Sequence, residues 1–267
     1  MSTVNLPSPV STHSAFRWAV SDVLTVARRN LLALFRIPVA IVFMIIQPIM
    51  FVILFRYVFG GVINVPGVSY VNYLIPGILV QTVIFGSVGT TVGLAEDLQK
   101  GLIERFRALP MARLAVLAGR TVSDLLRNVL ILIIITGVGF LVGFRPGGGV
   151  LSYIQACILM LLFAYCLSWG FAFVGLAAPN AEAAQAMIFP VIFPLTFASA
   201  IFVPVASMPT WLQPFAINQP ISQTAIAVRG LMLGTPHGQS TWIALAWAFG
   251  LILFLAPLAV NKYRKVA

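Results

Sequence analysis

The chain is 267 residues long, 60% hydrophobic and only 8% charged, with a mean hydropathy of +1.03. A soluble domain carries about 25% charged residues, so this one has too few to cover a water-facing surface, and a bilayer has to solvate most of it. The net charge of +10 does not indicate nucleic acid, because the basic residues sit in short segments between apolar runs, where they signal topology.

In chain order, residues 1–13 are polar and proline-containing and read as a disordered tail. The first apolar run starts too late for a signal peptide. Residues 14–267 form one membrane domain. Residues 14–36 read as an amphipathic helix lying on the membrane: Phe16, Val20, Val23, Ala27, Leu31 and Leu34 recur at helical spacing, with Arg17, Ser21, Thr25, Arg28 and Arg29 on much of the remainder. A plain cytosolic extension is the alternative. Six spans follow, at about 37–59, 73–95, 122–144, 151–178, 184–205 and 241–260, most long enough for about 30 Å of hydrocarbon. The fold class is therefore an all-α membrane protein.

Residues 206–240 are too apolar for a solvated loop and too broken by proline for a span. They read as a re-entrant or interfacial hairpin before the last helix, with Trp211 and Phe215 at headgroup depth. Cysteines at Gln213 and Gln223 are expected to be open to an external thiol reagent. Thirteen of the sixteen Lys and Arg residues fall on one side of this arrangement, and only Arg56, Arg145 and Arg229 on the other. The positive-inside rule puts both termini in the cytoplasm.

No Asp, Glu, Lys or His lies near the middle of an expected span, which argues against proton coupling. The polar residues within spans, Gln47, Gln81, Gln155, Ser168 and Gln185, read first as bonds between helices. Gly89-x-x-x-Gly93 and Gly139-x-x-x-Gly143 suit close helix packing, and Pro190 and Pro194 should kink the fifth span. Cys157 and Cys166 are nine residues apart on one helix, point to opposite faces and cannot bridge within it. There is no metal-ligand spacing, no catalytic constellation and no G-x-x-x-x-G-K-[ST] loop, so the chain has no P-loop of its own.

The most informative segment runs from Glu96 to Asp124. It holds four of the six acidic residues and five basic ones. Leu98, Leu102, Phe106 and Leu109 recur at helical spacing until Pro110. Asp97 with Lys100, and Glu104 with Arg107, are spaced to pair. A short cytosolic helix with both signs of charge and an apolar stripe reads as a docking element, with a solvated linker as the alternative.

This segment resembles the cytosolic loop of ABC-2 type transporter permeases, through Glu96, Asp97, Gly101, Glu104, Arg105, Arg107, Pro110, Gly119 and Arg120. A second segment is similar to the hairpin before the last span in the daunorubicin-resistance type permeases: Trp211-Leu212-Gln213-Pro214-Phe215, then Asn218-Gln219-Pro220-Ile221-Ser222 and Arg229-Gly230. The resemblance covers nearly the whole chain. It implies an exporter permease with no cofactor of its own, driven by two copies of an ABC-type ATPase subunit that bind ATP and Mg. It also implies a second permease chain, alike or related, and a coupling helix in the loop between spans two and three.

The reading is thus a permease for a hydrophobic or amphipathic compound, drug or lipid, with Gln47, Phe51, Gln81, Phe85 and Phe197 as candidate path residues. A polysaccharide or glycolipid exporter, which would favour a line of exposed aromatic rings, is the alternative within transport. A sodium-coupled transporter and a non-transporting scaffold are the rivals outside it.

Overall fold

The computed structural model describes residues 12–36, 38–63, 65–102, 115–236 and 238–266, and is helical with no strand among them. The expected tail, apart from its last two residues, lies outside the described residues. So does most of the expected docking element, including Glu104, Arg105, Arg107 and Pro110.

Helix α1 (Thr12–Phe35) is followed by α2 (Pro38–Ile53), which continues as a π-helical segment, Leu54–Phe59. Then come α3 (Tyr70–Gln99), α4 (Ala115–Leu141), α5 (Gly149–Ala177) and α6 (Ala181–Phe197). The Asn180 Oδ1 accepts the Ala183 N–H at 2.8 Å and caps α6. A short α7 (Gln213–Asn218) leads into α8 (Pro220–Leu233) and α9 (Gly238–Val266). Helix α8 has proline in its first turn and stops at Gly234, whose φ of +71° suits glycine.

Among the described residues, four helices are long and apolar enough to cross a membrane: Tyr70–Gln99, Leu117–Leu141, Gly149–Ala177 and Gly238–Lys265. The apolar helices Met44–Phe59 and Ala181–Phe197 are shorter. The expected fifth span reaches residue 205, but α6, with Pro190 and Pro194 inside it, ends at Phe197, where the Ala198 N–H closes on the Pro194 carbonyl. The expected third span begins at 122, whereas α4 begins at Ala115.

Helix α3 touches α2, α4, α5, α6 and α8. Of its apolar window 72% is buried, against 17% in α9, which lies at the rim. Two ends can be told apart by their packing. At one, Leu94 of α3, Leu117 of α4, Leu176 of α5 and Tyr263 of α9 form one cluster, and α1 lies along α4. At the other, α8 is wedged between α3, α5 and α9.

Helix α1 turns differently from its expected stripe. Val26 and Ala27 are buried, with Val26 seated on Gly119, while Val20 faces out beside Trp18 and Leu24. Arg17, Ser21, Thr25 and Arg28 are exposed as expected. The motif at Gly139 also reads differently. Gly143 lies in the turn after α4 at φ +96°, so it serves the turn and not a helix contact. Cys157 and Cys166 are both free.

The hairpin is more deeply built in than its composition suggests. Ile221 to Ala225 and Ala227 to Met232 of α8 are buried. Gln223 is 6% exposed and donates to the Ile217 carbonyl, so it is not open to a reagent as expected. Arg229, expected as an outside charge, is buried as well. Its Nε donates to the Tyr73 carbonyl at 2.9 Å and its Nη2 to those of Ala200 and Ile201 at 2.8 and 3.3 Å. Its guanidinium lies over the Tyr73 ring, 3.5 Å from the centroid. Residues 199–202 after α6 are irregular and buried, so their backbone groups need partners. Arg229, Tyr73, Tyr70, Gln219 and Ser222 supply them.

Candidate functional site

Opposite that hairpin, α3 and α4 meet through a ladder of polar groups. Residues 120, 124, 127 and 128 share one face of α4 at i, i+4, i+7 and i+8, and they mate with 86, 89, 90, 93 and 97 on α3. Asp97 lies 3.6 Å from Arg120 and 3.5 Å from Arg29 of α1, so one carboxylate ties three helices. One turn further in, Asp124 pairs with Arg127 at 2.6 Å and accepts a short hydrogen bond from Thr90. Arg127 also donates to the Gly86 carbonyl, and Arg120 to that of Gly89 at 3.0 Å. Asn128 reaches Ser87 at 3.4 Å.

Asp124 and Arg127 are 2% and 9% exposed. A charge so buried is tolerated only when paired and hydrogen-bonded, and here each carboxylate has a guanidinium.

Glycine makes the room. Gly86, Gly89 and Gly93 face Asn128, Arg127 and Arg120 in turn, and a methyl group at any of the three would collide with the side chain opposite. The Gly89-x-x-x-Gly93 motif therefore admits arginine heads between two helices, whereas the sequence suggested bare backbone packing. The sequence also missed Asp124 and Arg127 as a pair, because they looked like the wet end of the expected span and Arg127 was counted among the topology signals. The available signal was the match of Gly86, Gly89 and Gly93 to a charged face of Arg120, Asp124 and Arg127.

Two cavities adjoin the ladder. A polar one of about 610 Å³, walled by Arg29, Glu96, Asp97, Lys100, Arg120 and Asp124 among others, lies where α3 leads into the α3–α4 connection. Glu96 is bound to Lys100 at 2.9 Å, an exposed pair that raises the lysine pKa. A second cavity, about 440 Å³, is mostly apolar and lies deeper. Gln47 and Phe51 of α2 and Gln81 and Phe85 of α3 line it, together with Phe189 and Phe193. Arg127, Gly89 and Met44 belong to both walls.

Four of the five candidate path residues are thus brought into one cavity. Phe197 lies outside it but stacks on Phe193, centroids 5.7 Å apart. Around them runs a line of rings that the sequence could not place: Phe59, Phe55, Phe202, Phe51, Phe197, Phe193, Phe189 and Phe85, with neighbouring centroids 4.3–6.3 Å apart. Gln155 and Gln185 are not part of this cavity, and Ser168 bonds its own helix at Tyr165.

Of the motif residues, Glu96, Asp97, Gly101, Gly119 and Arg120 surround the polar cavity or its flanks. Gly101 turns the chain out of α3 at φ +63°, and Gly119 receives α1. Among the hairpin residues, Trp211 and Phe215 are exposed, Pro214 lies in the first turn of α7, Asn218 bonds back to the Pro214 carbonyl, and Pro220 begins α8.

Residues 21–233 match the model of the ABC-2 type transporter family. The chain belongs to that family. It is 36% identical to the daunorubicin resistance ABC transporter permease protein DrrB1 of Streptomyces coeruleorubidus over 247 residues, 92% of this chain and 87% of that protein. It is 29% identical to the doxorubicin resistance ABC transporter permease protein DrrB of Mycobacterium tuberculosis over 222 residues, 81% of this chain and 77% of the relative. Membership makes it the permease component of an ABC transporter, with ATP hydrolysed on a partner subunit. It also places the chain among ATP-driven transporters and not sodium-coupled ones.

Proposed function

We propose that this permease exports hydrophobic or amphipathic drug-like or lipid compounds from the cytoplasm, using ATP and Mg bound by two copies of a partner ATPase. A second permease chain, the same or related, completes the path. The observation that carries this reading is the position of Arg127. It walls the apolar, phenylalanine-lined cavity on one side, and on the other the polar cavity at the α3–α4 connection. A movement imposed on that connection would reach a cavity for apolar cargo through one side chain. The names of the relatives, daunorubicin and doxorubicin resistance permeases, support the same cargo class.

The remaining assignments belong to this reading. Six passes are counted, with Met44–Phe59 and Ala181–Phe197 as the two short ones, inside a membrane domain of residues 14–267. Both termini are cytoplasmic. In support, Arg29, Lys100, Arg120 and the basic C-terminal turn of α9 gather at one end of the bundle. Helix α1 lies at the membrane surface through Trp18 and Leu24, and Trp211 and Phe215 sit at headgroup depth on the far side. Glu104, Arg105, Arg107 and Pro110 belong to the segment that docks on the ATPase.

A sugar path would offer free ring faces, whereas most of these phenylalanines stack on one another, which favours apolar cargo. The test is transport of an anthracycline into inverted vesicles holding the permease and its ATPase. ATP-dependent uptake into the vesicles, lost with a hydrolysis-dead ATPase, is the expected result. Uptake without ATP would contradict it.

A further inference from the structure

At the hairpin end, two arginines from different elements settle on one turn. Arg56, in the π-helical segment after α2, donates from Nη1 to the Val142 carbonyl. Arg145, just past α4, donates from Nη1 to the carbonyls of Phe140 and Phe144 at 3.1 and 2.9 Å. Its backbone N–H donates to Asn72 Oδ1 of α3 at 2.9 Å. Gly143 stands in the same turn, and a carbon added there would lie 3.6 Å from Arg56 Nη1. The carbonyls at the C-terminal end of α4 thus hold both guanidinium groups in place.

Carbonyls position these groups but do not neutralise them. The acidic residues among the described ones are Asp22, Glu96, Asp97, Asp124 and Glu182. All lie toward the opposite end, where Val23 meets Gly119 and Ala184 packs with Ala95. Two full charges therefore stand at the hairpin end without a counter-charge from the described residues. A guanidinium carries five N–H groups in a rigid fork that matches phosphate. Nε and Nη2 of both arginines have no hydrogen-bond partner among the described residues.

The surroundings select the kind of anion. Tyr57, Val58 and Phe140 beside these heads are exposed, and Leu141 is 87% exposed. An apolar helix end next to bare positive charge is the boundary between hydrocarbon and headgroups. A soluble anion would leave those apolar side chains uncovered, whereas a lipid covers them and brings its own phosphate.

We propose that Arg56 and Arg145 together bind the phosphate of an anionic phospholipid, whose chains lie against the exposed residues beside the turn. One phosphate charge against two guanidinium groups leaves the site cationic, so a choline or ethanolamine headgroup is disfavoured and a glycerol headgroup favoured. The bound lipid joins the end of α2 to the turn between α4 and α5. The inference rests on the membrane placement of the chain and not on its cargo.

The test uses the full-length permease in nanodiscs doped with phosphatidylglycerol or phosphatidylcholine, each with a diazirine near the glycerol end of one acyl chain. Illumination, digestion and mass spectrometry then map the adducts. Residues 54–62 and 140–146 should take up about fivefold more phosphatidylglycerol than phosphatidylcholine, or better. Arg56→Gln with Arg145→Gln should abolish that preference. Arg56→Lys with Arg145→Lys, which keeps both charges, should retain most of it. Excess glycerol 1-phosphate should leave the adducts unchanged.

Equal labelling by the two lipids in wild type overturns the proposal without recourse to any variant. So does a preference that survives the glutamine pair, or one lost as fully in the lysine pair. Adducts removed by glycerol 1-phosphate would assign the site to a soluble phosphate and overturn the lipid.

Discussion

The bundle holds arginine at both ends, in opposite ways. At the hairpin end Arg229 is buried without a carboxylate. It spends its hydrogen bonds on three backbone carbonyls and its face on Tyr73. At the other end Arg29, Arg120 and Arg127 are shared between Asp97 and Asp124. A guanidinium bonded to backbone has one arrangement, set by the chain path itself. At the other end Asp97 is shared by arginines of two other helices, whereas Asp124 and Arg127 pair within α4. The first is a fixed anchor for the broken backbone after α6. The second ties α1, α3 and α4 to one another beside the α3–α4 connection.

The comparison is broken most severely at Arg229. Arg229→Met should cost on the order of 5 kcal/mol, since it withdraws three charge-assisted bonds at about 1.5–3 kcal/mol each and strands their acceptors. Unfolding in mixed micelles would show this as loss of folded protein that no second substitution of an acidic residue repairs. Repair by removing a carboxylate would show that Arg229 belongs to an ion-pair system after all.

Breaking the buried pair at the other end should cost somewhat less and behave differently. Asp124→Leu or Arg127→Leu alone should lose about 3–5 kcal/mol by leaving an uncompensated buried charge, and the double variant should lose much less than their sum. The same unfolding assay, run as a double-mutant cycle, measures the coupling; strict additivity would refute a mutual pair.

Smaller again is the cost of closing the space made by glycine. Gly93→Ala should destabilise by about 1–3 kcal/mol through overpacking against Arg120. Gly137→Ala, where nothing lies within 4 Å of the added carbon, should be neutral or stabilising by up to about 1 kcal/mol. Equal effects at the two positions would remove the role assigned to Gly93. Smallest of all, Lys100→Ala at the exposed Glu96–Lys100 pair should change stability by less than about 0.5 kcal/mol.

Much of this was legible in the sequence, for physical reasons. Apolar length alone marks helices such as α3 and α5, because the hydrocarbon thickness sets it. The helical spacing of Arg17, Ser21, Thr25 and Arg28 marks the outer face of α1. The gathering of Gln47, Phe51, Gln81 and Phe85 was readable as well, since these are the polar and aromatic residues of two spans that pack together.

What the sequence hid depended on contacts between distant segments. Nothing local says that Arg229 points inward to carbonyls some 28 residues back, or that α6 stops at Phe197 for Arg229 and the tyrosines to finish. Asp124 and Arg127 looked like the wet end of a span because hydropathy cannot see the facing glycines. Gln223 looked exposed because α8 is only moderately apolar, although it is buried on nearly every side.

The connection between α3 and α4 is proposed to couple the permease to ATP hydrolysis on another chain. The most direct measurement is ATPase co-purification together with drug efflux, at matched membrane levels, for Glu104→Ala and Arg105→Ala. Both charges would meet partner groups in a partly desolvated groove, so removing one should cost about 2–5 kcal/mol of that interface. Reduced co-purification, or hydrolysis uncoupled from efflux, is expected, with the permease itself folded and present at normal levels. Unchanged co-purification and unchanged efflux in both variants would contradict it.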